Sequence, residues 1–465
     1  MTKLALHTIA VALIFNLISL SAQAQTSLHK SNKYFCLDRT VVLSGKGVQK
    51  LQDPSKLTKQ QKALQKDLRA RLKRAKGRAK AKIAASINDT REILANIPKC
   101  LRGDFDPAIN VDPTMSLGFQ HSCAINRTGA LRCWGYNFNG ELGNGIDTTD
   151  RNTPSSVAGT AKYIAIAGGE TFTCAVTSAG AAQCWGRNVF GQLGDGSKTD
   201  SKSPKQVVGL SSGVTAVVAG TRHGCALLST GTVKCWGDNS DGQLGNGTGA
   251  ASSTPVDVVG LSGVQSLESG AYYTCAVLQG GAVKCWGYNA SGQLGDNSRL
   301  TRGTPTDVVG LSSGVTRVSA GQGHTCAVLT NGTLMCWGAA GSHMGDSAVT
   351  DRLIPAPVTT VSGVTEVAVG NQFTCAIVAG GAVQCWGLGN DGRLGNGQSF
   401  SSVTPVSVTG ISAAGTLRTG DAHACVIVGG SQAYCWGSNS RGQIGSGSSA
   451  LTSESPSAVV GFPLS

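Results

Sequence analysis

This sequence has little charge. Asp, Glu, Lys and Arg make up 14% of its 465 residues, against about a quarter in an average domain. Glycine is abundant instead, with 64 copies, which suits many short strands joined by tight turns. Catalytic machinery is missing too. There is no Ser/His/Asp spacing, no phosphate-binding loop and no recurring carboxylate pair beside an unusual insertion, so the chain reads as a non-enzyme without a cofactor. Its 16 cysteines include no short Cys-x(2–4)-Cys knuckle, which argues against structural zinc. Beyond Leu20 no segment is long and apolar enough to span a bilayer.

Residues 1–24 are expected to be a secretory signal. Lys3 supplies a positive start, an apolar run follows from Ile9 to Leu20, and Ala22-Gln23-Ala24 fits small-residue cleavage before Gln25. No cysteine follows that site, so a lipoprotein anchor is not expected. An even cysteine count in an exported chain points to a disulfide framework and to a secreted, periplasmic or cell-surface location.

Charge is unevenly spread. Residues 25–103 carry a net +15 and residues 104–465 a net −3. The chain is therefore expected to join a basic segment, 25–104, to a nearly neutral body, 105–465. From Ser55 to Ile97 apolar residues recur at helical spacing, as in Leu64, Leu68 and Leu72, then Ile83 and Ile87. Gly77 lies mid-run and Cys36 and Cys100 flank the segment, so a helical hairpin closed by a Cys36–Cys100 bond is expected. The cations of residues 56–82 read first as a solvated helix face. A patch for anionic surfaces is the alternative. The run holds no aromatics, so neither nucleic-acid stacking nor membrane insertion is expected of it.

The body repeats. Cys-Trp-Gly occurs seven times, each preceded by a cysteine ten residues earlier: Cys123/Cys133, Cys174/Cys184, Cys225/Cys235, Cys275/Cys285, Cys326/Cys336, Cys375/Cys385 and Cys425/Cys435. Successive tryptophans, Trp134 to Trp436, are 49 to 51 residues apart, a period that means an array of supersecondary units. Between the cysteines, apolar alternation flanks a turn, as in Ala327-Val328-Leu329 and Thr333-Leu334-Met335 around Asn331-Gly332. That is a β-hairpin placing each cysteine opposite its partner, at disulfide reach. Gly-Gln-Leu-Gly follows at 191–194, 242–245 and 292–295, with variants in other units. Each unit ends on a proline, 154 to 456, expected at the start of an edge strand. Fifty residues with three or four short strands make one propeller blade, and seven blades close a ring. The fold class is all-β: a seven-bladed β-propeller with a small N-terminal basic α-helical segment, expected to be monomeric.

Each unit also carries a glycine five residues before its first cysteine, from Gly118 to Gly420. Gly321 to His324, Trp337-Gly338 and Asn289 to Gly295 together resemble the regulator-of-chromosome-condensation repeat family. The Gly-Gly doublet of kelch propellers, followed by spaced Tyr and Trp, is absent. The resemblance implies a propeller that binds proteins through one face. Its members include a nuclear exchange factor for a small GTPase, signalling proteins and a secreted inhibitor of β-lactamases. Export and the cysteine content fit an exchange-factor role badly. In the fifth unit, Ala339-Ala340-Gly341-Ser342-His343-Met344-Gly345 is one residue short and lacks Gln-Leu, so a differently shaped loop is expected there.

His121, His223, His324 and His423 occupy one repeat slot, and in a propeller such slots ring the axis. Phe172, Tyr273 and Phe373 fill the same slot elsewhere. It therefore reads as a packing slot, its imidazoles bonded to local backbone, with no metal expected. The candidate binding surface is the loop after Trp-Gly, where residue types change while the frame stays fixed: Tyr136, Phe138, Arg187, Phe190, Asp238, Asp241, Tyr288, Asp391 and Arg441. The leading functional expectation is a secreted interaction or inhibitor module whose protein ligand is unknown. The rival is a cell-surface structural protein held to anionic envelope components by its basic helices.

Overall fold

The computed structural model describes residues 34–37, 40–43, 113–346 and 350–461. The chain falls into two compact units, Met1–Asn110 and Val111–Ser465. In the first, Tyr34–Leu37 and Thr40–Leu43 pair antiparallel, with Cys36 opposite Val41. This hairpin lies ahead of the run 55–97 and adds two strands that the sequence reading did not place. Two short apolar runs around Asp38-Arg39 are a strand signal, masked in the sequence by the long cationic run after it. The expected signal at 1–24, the helical run 55–97 and Cys100 lie outside the described residues, and with Cys100 the expected Cys36–Cys100 bond.

The second unit is a ring of seven four-stranded antiparallel sheets. Blade 1 runs through Thr114–Leu117, His121–Ile125, Leu131–Gly135 and Arg151–Ser156. Blades 2 to 7 repeat that meander over 163–206, 214–257, 264–307, 315–357, 364–407 and 414–458. First strands of neighbouring blades touch one another, so they lie innermost, and blade 7 meets blade 1 in the same way. Every sheet is built from one continuous stretch of chain. The ring therefore closes by packing and side-chain bonds, with no strand exchanged between first and last blade.

The middle of each blade is its core. The second strand is buried almost throughout, as in His324–Leu329. One cysteine of each pair lies on this strand and the other directly across the ladder on the third. In blades 1 to 4, Cys123 faces Cys133, Cys174 faces Cys184, Cys225 faces Cys235 and Cys275 faces Cys285. In blades 5 to 7, Cys326 faces Cys336, Cys375 faces Cys385 and Cys425 faces Cys435. All seven bonds form, with Cα atoms 4.0 to 4.2 Å apart. The prolines do not start the outer strand. Pro255 lies inside Ser252–Asp257, where the ladder to the third strand is interrupted between Cys235 and Gly237. A residue without an N–H is tolerated there because no ladder bond is lost.

Tryptophan locks neighbouring blades together. Trp286 Nε1 donates to the Gln243 carbonyl of the preceding blade at 2.9 Å, and Trp134 closes the ring by donating to Gln443 at 2.9 Å. The other five tryptophans repeat the bond. Glycine is required in this turn: a Cβ on Gly245, at φ +66°, would lie 2.7 Å from Trp286 Nε1. The fifth blade replaces the turn by a short 3-10 helix, Ser342–Met344. The loop is reshaped as expected, yet its anchor survives. His343 offers its carbonyl to Trp386, and Met344 is fully buried where the other blades bury leucine or, in blade 7, Ile444.

Charged side chains from the first strands of blades 4 to 7 interact. Arg418 donates to buried Glu366 at 2.5 Å. Burial pushes Glu268 up to about 7, against the pull of Arg418 and Arg317.

Candidate interaction face

The four histidines lie at seams between blades. His121 Nε2 meets Thr173 Oγ1 at 2.9 Å, His223 meets Thr274 at 2.9 Å, and His324 meets Thr374 at 2.8 Å. His423 meets Ser122 of blade 1 at 2.9 Å. The ring is thus bonded to the next blade's hydroxyl, which corrects the expectation of a local backbone partner. The pairing holds at every seam. Tyr273 reaches Thr325 at 2.8 Å, whereas apolar Phe172 and Phe373 precede blades that carry Gly224 and Ala424 there. Polar meets polar and apolar meets apolar, because a buried hydroxyl or imidazole without a partner is costly.

Hydrogen direction follows from the hydroxyl. Thr374 Oγ1 has one hydrogen and gives it to the His343 carbonyl at 2.9 Å. His324 Nε2–H must then be the donor to Thr374. Burial holds His121 and His223 down to about 4 and His423 to about 3. It holds His324 well below the usual value, with His343 adding to the effect. An unfolded histidine titrates near 6.5. These neutral rings therefore contribute stability that is present above about pH 6.5 and lost as pH falls toward 4. Glu141 and Glu268, raised by burial to about 7, act in the opposite direction.

Thr374→Ala is expected to cost about 1–3 kcal/mol by stranding the His324 donor. The double variant His324→Phe/Thr374→Ala recreates the Phe373–Ala424 seam and should recover most of that loss. It should also lose less stability than the wild type between pH 6.5 and 4. Urea unfolding across that range checks both points; a double variant no better than Thr374→Ala would refute the pairing.

Two sets of connections emerge at the same end of every blade. The turn between first and second strands, such as 118–120, and the long loop between third and fourth strands, such as 136–150, both belong to this face. The nine sequence-derived candidates all lie on it. The structure brings several together. Tyr136 stacks on Phe138 at 6.5 Å, and Arg441 lies over Tyr136 at 5.3 Å and beside Asp150 at 3.5 Å. Arg222 lies over Phe190 at 4.5 Å, and Tyr272 meets Tyr288 edge-on. Phe138 is 70% exposed. Arg187 is exposed and Asp241 half-buried.

Asp238 is different. It is buried and takes the N–H and hydroxyl of Ser240, so it organises its own loop rather than facing outward. Asp391 is paired with Arg393 at 2.9 Å. The disulfide cysteines stand apart from this face. Cys133, Cys184, Cys235, Cys285, Cys336, Cys385 and Cys435, on the third strands, are completely buried. Their partners Cys123, Cys174, Cys225, Cys275, Cys326, Cys375 and Cys425 are buried with them. All fourteen are blade staples, with no sulfur on the binding surface.

Sequence reasoning missed the residue after each repeat glycine: Phe119, Glu170, Thr221, Ala271, Gln322, Asn371 and Asp421. These variable positions line an open axial cavity of about 110 Å³. Their variability beside a fixed glycine was the available signal. It also missed Ile146, Phe400 and Leu451 on the rim, 69 to 80% exposed.

The geometry defines the class: a closed seven-bladed propeller with one variable loop face and disulfide-pinned, tryptophan-interlocked blades. The regulator of chromosome condensation (RCC1) repeat matches residues 114–141, 163–192, 214–243, 264–293, 315–343, 364–393 and 411–443. A second description of that repeat matches 128–176, 180–227, 230–277 and 281–328. The chain belongs to the regulator of chromosome condensation repeat family.

Among curated relatives, the Ultraviolet-B receptor UVR8 of Arabidopsis thaliana is 35% identical over 147 residues, 31% of this chain and 33% of its own length. The probable E3 ubiquitin-protein ligase HERC4 of Mus musculus is 31% identical over 144 residues, 30% of this chain and 14% of its own. The matches thus span a third or less of these relatives. Yeast RCC1 (Prp20), solved with Kap60, superposes with a TM-score of 0.64 at 20% identity, covering 77% of this chain and 86% of that one. Human WBSCR16 superposes with a TM-score of 0.63 at 21% identity, covering 71% and 94%. At such identities these two likenesses concern the fold alone.

Proposed function

We propose that this chain is an exported protein-binding propeller that acts as an interaction or inhibitor module through its loop face. One observation carries the reading: aromatic rings and arginines are held together on one face, with Phe138 70% exposed and Arg441 seated over Tyr136. Rigid aromatics and arginine are the side chains that dominate protein–protein binding energy. Seven disulfides suit an oxidising compartment. Among the described residues no helix is long and apolar enough to cross a membrane. Prp20p of Saccharomyces cerevisiae, whose fold is similar, is described as binding Gsp1p and histones.

Affinity capture from the native secretome with the full chain tests the reading. Phe138→Ala/Tyr288→Ala/Arg441→Ala is expected to weaken the captured partner more than tenfold, since each such anchor is worth about 2 kcal/mol. Lys234→Ser, at the start of the third strand of blade 3 and away from the loop face, should leave capture unchanged. A partner held equally by the triple variant would exclude the loop face.

A further inference from the structure

The axial cavity opens on the same face as the aromatic loops, and its chemistry is one-sided. The turn after each first strand carries a glycine because nothing larger fits: a Cβ on Gly220 would lie 2.4 Å from His223 Cε1 and 2.7 Å from the Gly270 carbonyl. Around this girdle five of the seven backbone donors are consumed. Phe119 N–H goes to the Gly169 carbonyl, Glu170 to Gly220, Thr221 to Ala271, Ala271 to Gly321, and Asn371 to Asp421, at 2.9 to 3.3 Å. With five of the seven amides at these positions spent, the girdle offers an anion few N–H groups. Two carboxylates, Glu170 and Asp421, stand on the cavity wall in their place.

Those carboxylates lack a full counter-charge of their own. Among the described residues neither is in an ion pair. Asp421 accepts the Gln322 amide at 3.0 Å, a neutral donor. Arg222 and Arg187 pull on Glu170 and Arg393 pulls on Asp421, but none of them closes an ion pair with its carboxylate. Arg222 covers Phe190, and Arg393 holds Asp391 and the Asn390 and Asn371 carbonyls. Burial raises the pKa of both carboxyls, and Asp421 adds to the rise at Glu170. The two residues belong to blades 7 and 2, so Phe119 of blade 1 sits between them in the ring. The rim is asymmetric as well. Phe400, Leu451, Phe138 and Ile146 gather on blades 6, 7 and 1, with Leu300 of blade 4 standing apart, whereas the long loop of blade 3 exposes no large apolar side chain among the described residues.

We propose that the axial cavity receives a lysine or arginine side chain of the protein partner, held between Glu170 and Asp421, while the apolar rim of blades 6, 7 and 1 takes that partner's surface. This rests on the loop-face reading and names the partner's chemistry. The methylene stem of such a side chain lies along Phe119 and its charged head replaces water at the two carboxylates. An acidic or purely apolar partner residue would leave those carboxylates desolvated without compensation.

The probe is Nα-acetyl-lysine amide, titrated into the full chain and followed by the amide shifts of Thr221 and Gln322. Saturable binding is expected at about 1–10 mM, as suits one small anchor. The norleucine analogue, which keeps the four-carbon stem but lacks the ammonium, should bind at least tenfold more weakly. Glu170→Gln/Asp421→Asn, checked for an unchanged melting profile, should bind lysine amide no better than the norleucine analogue. Equal binding of the two probes, or undiminished binding by the double variant, overturns the proposal. Capture separates the two readings. If the rim triple variant loses the partner while Glu170→Gln/Asp421→Asn keeps it, only the cavity assignment fails. If the rim variant keeps the partner, the loop-face reading fails whatever the lysine probe does.

Discussion

Once unfolded and fully reduced, the propeller is expected not to refold at room temperature. Each cross-strand bond closes a loop of ten residues and restrains the unfolded chain by about 2–3 kcal/mol on the chain-entropy account. Seven such restraints rival or exceed the net stability of about 5–15 kcal/mol that folded domains possess. The native propeller should nevertheless resist reductant, because its fourteen paired cysteines are 0 to 1% exposed. Thiolate attack has to wait for a blade to open. Thiol alkylation and mass measurement across a denaturant series should show sulfhydryls appearing only with unfolding, and near-ultraviolet circular dichroism should show no recovery after reduction. A fully reduced chain with a cooperative melt near that of the oxidised protein would disprove the dependence.

The second large effect is expected at the interlocking tryptophans. Trp286 is completely buried and packs with Cys225, Cys235, Leu244, Val258 and Leu261 of the preceding blade. Trp286→Ala should cost about 3–5 kcal/mol, the range for removing a large buried aromatic. Trp286→Phe keeps much of the packing and loses the bond to the Gln243 carbonyl. That carbonyl still has Thr274 Oγ1 at 3.4 Å, so a smaller loss of about 1–2 kcal/mol is expected. Denaturant unfolding of the oxidised proteins measures both. Because the ring has no exchanged strand to close it, damage at one seam should lower the stability of the whole ring. A biphasic transition with six blades unaffected would contradict this. Equal losses for the two variants would show that the hydrogen bond, rather than the packing, is what matters.

Much of the fold was legible because it repeats. The ten-residue spacing of the cysteines placed each hairpin in register, and Cys326 against Cys336 is what the structure shows. The glycines before them were visible as fixed positions, and so were the variable loops after Trp-Gly. The hairpin at Tyr34–Leu43 was missed, since two four-residue runs are weak against a forty-residue cationic pattern. The prolines were placed too early, at the start of the strand, because the ladder interruption that admits them depends on the neighbouring strand. Asp238 looked like a binding residue from its position alone, and only its bonds to Ser240 reveal an internal role.

By itself the sequence determined the number of blades, the pairing of their cysteines and the positions that vary, because those properties are local or periodic along the chain. The tertiary structure alone decided what meets across the seams and over the axis. His324 finds Thr374 fifty residues away, and Trp286 finds a carbonyl in the preceding blade. Glu170 and Asp421, 251 residues apart in number, come to line one cavity. Such contacts carry no spacing signal within a single repeat. They exist because a closed ring places equivalent positions of neighbouring blades side by side, and burial there favours pairing a hydroxyl with an imidazole or phenol, or an apolar ring with a residue that has no hydroxyl.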